Sequence, residues 1–274
     1  MDVQALDHPN YYINRELSLL AFNQRVLELA QDSSIPLLER LKFLCISSSN
    51  LDEFFEVRVA SLKQQLSLEL MAVGADGLLP EAALKAISDT AHRLVEQQYQ
   101  LLNEVLIPAL RQQQIYFVRR THWDEPQREW LSEYFERELM PLLSPFGLDP
   151  AHPFPFVSNL STNWGFILRD PDTDEYVPVR VKIPTMLPAW IPLKADLNPG
   201  ERRFLRLEEL IRHSTDQLFP GMELVDASRF RILRNAEIEL DEEEESLREA
   251  VTEALQQRRF QPVVRMDLAP DANP

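Results

Sequence analysis

The sequence predicts a multi-domain chain: an all-α helical bundle over residues 1–113, then an α+β domain with a largely antiparallel sheet over 114–274. Three observations carry that expectation. Through the first part apolar residues recur every three or four positions, the period of one helix face. Near Ile115 the period drops to two, most clearly at Val177, Val179, Val181 and Ile183, the alternation of a sheet with one buried face. A length of 274 residues with 45% hydrophobic and 26% charged suffices for two cores and is a globular composition.

Taken in order, Ser18–Gln31 reads as a helix with Leu19, Phe22, Val26 and Leu29 as its apolar stripe. Ser34 is the expected cap of a second helix, with Pro36 in its first turn, where a missing N–H costs little. Leu37, Leu41 and Leu44 give its buried side. The run Ser47-Ser48-Ser49-Asn50 is expected to break it. Asn50 with Glu53 resembles a capping box, so a third helix should start at Leu51 and bury Phe55, Val59, Leu62 and Leu66. A loop over Gly74–Leu79 precedes Pro80, which opens a long helix carrying Leu84, Ile87, Ala91, Leu94, Gln98, Leu101 and Val105. Pro108 should kink or loosen its last turn.

Beyond the boundary, Ile115–Val118 reads as a short strand and Trp123–Leu139 as a helix, followed by the Pro-rich stretch Pro141–Pro155. Asn163–Arg169 and Tyr176–Ile183 read as strands joined at Asp170–Asp174. Pro178 argues for an edge position or a strand start. A strand at Phe204–Leu207 leads into a helix over Glu208–Leu218. Phe230, Ile232, Ile238 and Leu240 suggest a strand interrupted near Asn235. Asp241–Gln257 should be helical, with acids in its first turn and Arg258 and Arg259 at its end, both favourable to the helix dipole. Val263–Leu268 is a last strand. Phe154, Phe156, Trp164 and Phe166 are assigned to the core of this domain.

The net charge of −16 excludes nucleic acid as an expected partner, since a polyanion is repelled unless it meets a local basic patch. No glycine-rich phosphate loop of either common pattern occurs. No apolar run reaches the roughly 18–20 residues a membrane span needs. Met1–Pro9 resembles neither a secretory nor a transit peptide, so a cytoplasmic location is expected. Cys45 is the single cysteine; its apolar surroundings suggest a small buried residue. His8, His92, His122 and His213 show no metal-ligand spacing.

Three segments, in order, carry a family resemblance. They are Tyr12-Ile13-Asn14-Arg15-Glu16-Leu17-Ser18 leading on to Leu27, with Ser49-Asn50-Leu51-Asp52-Glu53-Phe54-Phe55 after it; His152-Pro153-Phe154-Pro155-Phe156-Val157-Ser158-Asn159-Leu160-Ser161; and Leu218-Phe219-Pro220-Gly221-Met222 followed by Phe230-Arg231-Ile232-Leu233-Arg234-Asn235-Ala236. Together they resemble the N-terminal and head domains of polyphosphate kinases of the large, histidine-phosphorylated type. The resemblance runs from about Tyr11 to Met266. It implies a parent enzyme that moves the terminal phosphate of ATP reversibly onto polyphosphate through a phosphohistidine. It also implies that the reactive histidine and the groups binding phosphate and Mg2+ lie in C-terminal domains beyond this chain. The chain alone is then expected to be inactive, and its head domain to serve a homo-oligomeric interface.

The resemblance places Asn50 against the adenine of ATP, a role an amide suits because it offers one donor and one acceptor. The bland reading of Asn50 is a helix N-cap, worth about 0.5–2 kcal/mol over Ala. Asp52 and Glu53 read as first-turn carboxylates favoured by the helix dipole rather than as a metal or acid/base pair. His152 reads as structural. Arg229 and Arg231 share a strand face that either grips phosphate or pairs with the acidic run Glu237–Glu245. The competing reading of the whole chain is a non-catalytic interaction or dimerisation module.

Overall fold

The computed structural model describes residues 8–69, 73–119, 123–149, 151, 153–194, 196, 199–236 and 261–269. The chain divides into two compact units: Met1–Ala109 with Leu233–Arg265, and Leu110–Ile232 with Met266–Pro274. Expectations for His122, His152, the helix over 241–257, Ile238, Leu240, the Glu237–Glu245 run and Arg258–Arg259 fall outside the described residues.

The first unit holds α1 (Arg15–Gln31), α2 (Leu37–Phe54), α3 (Ala60–Ser67) and α4 (Pro80–Gln100). Asn14 caps α1 by accepting from Leu17 N at 2.9 Å. The face α1 buries is Leu20, Asn23, Leu27 and Ala30, one position round from the expected stripe. Leu19, Phe22 and Leu29 are exposed. Both stripes satisfy helical spacing, and periodicity alone does not choose between them. Ser34 does not cap α2: its N–H donates to Asp32 Oδ1 at 2.8 Å, and Pro36 occupies the cap position.

The expected break at Ser47–Asn50 is absent. α2 continues to Phe54, passes through a π-wound turn (Phe55–Val59) and runs on as α3. Three serines and an asparagine cost a helix interior roughly 0.5 kcal/mol each relative to alanine. Burying Leu44, Leu51 and Phe54 returns about 1.5–3 kcal/mol apiece, so packing overrides the break. Pro80 opens α4 as its first residue, and Ile87, Ala91, Leu94 and Gln98 are buried. Before Pro108 the helix is again π-wound, over Leu101–Leu106, and resumes as α5 (Ile107–Gln112); a proline lacks the N–H that regular winding needs.

The chain returns to this unit late. Leu233 and Val264 are buried with Ala60, against Phe55. Ala236 N donates to Glu56 O at 2.9 Å, and Lys63 Nζ to Val264 O at 2.7 Å.

The strands form two sheets. In the smaller, β1 (Ile115–Val118) lies parallel to β6 (Arg202–Arg206), and β6 is antiparallel to β5 (Trp190–Pro192). The larger sheet has the order β2-β4-β3-β7-β8, with β2 (Pro145–Gly147), β3 (Thr162–Arg169), β4 (Tyr176–Lys182), β7 (Glu223–Arg234) and β8 (Val263–Leu268). Its pairings β2–β4, β3–β4 and β3–β7 are antiparallel. Val179, Val181 and Ile183 face the core with Trp164, Phe166 and Leu168, as the alternation predicts.

Pro178 is not on an edge strand, because β4 lies between β2 and β3. Its carbonyl accepts from Leu148 N at 2.8 Å, so its ring nitrogen faces that same side, where β2 has already ended. α6 (Glu125–Tyr134) starts on a full capping box between Asp124 and Gln127. The single helix expected over Glu208–Leu218 is two short ones, α7 (Leu207–His213) and α8 (Thr215–Leu218). Phe154 and Phe156 are exposed rather than in the core.

Candidate nucleotide-facing site

Because α2 does not break, Asn50 is no cap. It lies in the last turn but one of a continuous helix, on the border between the buried stripe and the outside. Its Nδ2 donates to Asn23 Oδ1 at 3.3 Å. Asn23, 4% exposed, donates from its own Nδ2 to the Ser47 carbonyl at 2.8 Å. Gln98 of α4 closes the group by donating to Ser47 Oγ at 2.8 Å. The carbonyl oxygen of the Asn50 amide takes no hydrogen bond from the described residues, so it and one N–H remain to pair with a ligand.

One turn along each helix the surroundings are apolar and open. Leu19 and Val26 lie four before and three after Asn23; Ile46 lies four before Asn50, and residues so spaced share a helix face. Leu19 is 39% exposed, Ile46 40% and neighbouring Phe22 51%, with the Arg25 guanidinium 5.6 Å from the Phe22 ring centre.

The other candidates resolve differently. Asp52 points away from Glu53, towards Arg265 at 3.8 Å, while Glu53 is exposed. Among the described residues no three His, Cys, Asp or Glu side chains gather where they could hold a metal. Arg229 pairs with Glu208 at 2.9 Å and lies 5.6 Å from the Trp164 ring centre; Arg231 pairs with Asp267 at 2.6 Å. Both arginines are in ion pairs, with partners that sit far off in sequence. In the second unit Phe146, Leu148, Pro153, Phe154, Pro155 and Pro178 line a cleft of about 420 Å³.

Asn23 was not singled out from the sequence. A signal for it existed: with the buried stripe at Leu20, Leu27 and Ala30, it is the polar residue inside an apolar row.

The polyphosphate kinase N-terminal domain family matches residues 12–118, and the polyphosphate kinase middle domain family matches residues 126–274. The chain belongs to the polyphosphate kinase family. It is 44% identical over 267 residues to polyphosphate kinase from Pseudomonas aeruginosa, covering 96% of this chain and 39% of that protein. Polyphosphate kinase from Synechocystis is 44% identical over 268 residues, with 95% and 37% covered. The crystal structure of polyphosphate kinase from Porphyromonas gingivalis superposes with a TM-score of 0.72 at 26% identity, over 90% of this chain and 38% of that one. The chain thus spans about two fifths of the length of the relatives it matches. No described helix is long and apolar enough to cross a membrane.

Proposed function

We propose that this chain supplies the adenine-facing wall and the subunit-organising domain of a cytoplasmic polyphosphate kinase. That enzyme moves the terminal phosphate of ATP reversibly to polyphosphate through a phosphohistidine, with Mg2+ and the reacting phosphates held outside the described residues. The observation that carries the reading is the Asn50 amide. It is relieved of any capping duty, half-buried and backed by Asn23, with an acceptor and a donor to offer. Phosphoryl transfer rests mainly on positioning and on neutralising charge. A chain of net charge −16, with Arg229 and Arg231 already paired to carboxylates, is suited to the first of these tasks and not the second. The head domain's part in a homo-oligomer draws support from its edge strand β2, whose Phe146 is exposed.

The test is Asn50→Ala in a full-length enzyme carrying this segment. Expected is a rise in KM for ATP of roughly tenfold, the worth of one or two hydrogen bonds to a base edge, with circular dichroism unchanged. An unaltered KM for ATP returns Asn50 to a structural role.

A further inference from the structure

The described residues contain a device that fixes which way round the Asn50 amide sits. A backbone carbonyl only accepts hydrogen bonds. The Ser47 carbonyl, 2.8 Å from Asn23, therefore requires the Nδ2 end of the Asn23 amide to face it. That choice leaves Asn23 Oδ1, also purely an acceptor, facing Asn50 at 3.3 Å. Asn50 must in turn present Nδ2. Its Oδ1 and one remaining N–H are left in a fixed order. The Ser47 carbonyl thus sets the orientation of both amides. Gln98 does not set the order, since a hydroxyl such as Ser47 Oγ both donates and accepts.

We infer that Asn23 is a positioning residue for base selection: it pins the Asn50 amide so that the site accepts a 6-amino purine and rejects a 6-oxo purine. The inference rests on the adenine-facing reading of Asn50. Adenine presents an N–H donor at position 6 beside a ring-nitrogen acceptor, matching an acceptor and a donor in one order. Hypoxanthine presents an oxygen acceptor at position 6 beside a protonated ring nitrogen, the reverse order. A free asparagine rotates its amide by half a turn and pairs with either base. A pinned one pairs with adenine and leaves two acceptors or two donors opposed against hypoxanthine, a mismatch that a polar site rejects strongly. Asn23, buried within the helical core, has no route to the ligand itself and acts through Asn50.

The experiment compares kcat/KM for ATP and for ITP in a full-length enzyme carrying this segment, as wild type, Asn23→Leu and Asn50→Ala. Leucine keeps the branched shape of asparagine and removes both hydrogen bonds. The expected result is a preference for ATP over ITP that falls about tenfold in Asn23→Leu, through a gain of ITP use as much as a loss of ATP use. A merely structural role would lower both substrates together and leave their ratio alone. An unchanged ratio in Asn23→Leu, with the ratio abolished in Asn50→Ala, overturns the positioning role and leaves the adenine contact standing. An unchanged ratio in Asn50→Ala overturns the adenine contact and this inference with it. Should Asn23→Leu fail to fold, the wild type decides by NMR of its side-chain amides. A pinned Asn50 shows one slowly and one rapidly exchanging Nδ2 hydrogen, and two equally fast ones overturn the pinning.

Discussion

Cys45 stands between Leu44 and Ile46 in an apolar run, yet α2 turns Leu44 inward and leaves Cys45 and Ile46 outside. The sequence reading buried it because composition was all it had; a step of one residue along a helix is a rotation of about 100°. One thiol per chain should therefore react with a disulfide reagent in native buffer, at the rate seen in denaturant to within about tenfold; protection of several orders of magnitude would place it inside. Asp32 gives a second residue-scale consequence. Its carboxylate accepts from the Ser34 backbone and is held below its ordinary value of 3.8, that hydrogen bond being the main cause. A depressed folded value means the stabilisation is fully present above the unfolded value and is lost as pH falls through the folded one. The stability gap between wild type and Asp32→Ala should be constant from neutrality to about pH 4 and close below it. A gap that widens in acid contradicts the assignment. Asn50 was visible in the sequence as a candidate, with its partner Asn23 hidden. Pairing across two helices leaves no mark on local spacing.

At the scale of elements, the register of α1 separates two stripes that the sequence presents as equals. Leu27 is fully buried and Phe22 is 51% exposed. Leu27→Ala should cost about 2–5 kcal/mol, the range for emptying a core site. Phe22→Ala should cost no more than about 0.5 kcal/mol. Urea unfolding of the two variants checks this, and equal losses would favour the other stripe. The uninterrupted α2 teaches a related lesson. Serines signal a break only when nothing holds the flanking residues, and here Leu44, Leu51 and Phe54 are held. Strands were easier to read. β4 was legible from Val177, Val179 and Val181 because alternation has a period of two and a half-buried face admits no second phase. Pro178 misled because its ring nitrogen points past the end of β2, a fact of tertiary register. The capping box of α6 at Asp124 and Gln127 was present in the sequence and went unread.

For the whole molecule, the feature that linear reading least anticipates is the return of Leu233 and Val264 to the helical unit. Leu233 is fully buried there and Val264 nearly so. Residues 1–113 produced alone should lose both, at about 1.5–3 kcal/mol each, and unfold at a lower urea concentration than the complete chain. Identical midpoints would show that the returning segment contributes nothing. The same path has a consequence in time. A ribosome adding about 5–20 residues per second finishes α5 at Gln112 and must still add the 121 residues that run to Leu233, and more to reach Val264, before the first helices receive their last neighbours. For on the order of ten seconds the newborn bundle stands open at Phe55 and Ala60. That interval is when a chaperone, or a neighbouring nascent chain, has its best opportunity to bind it.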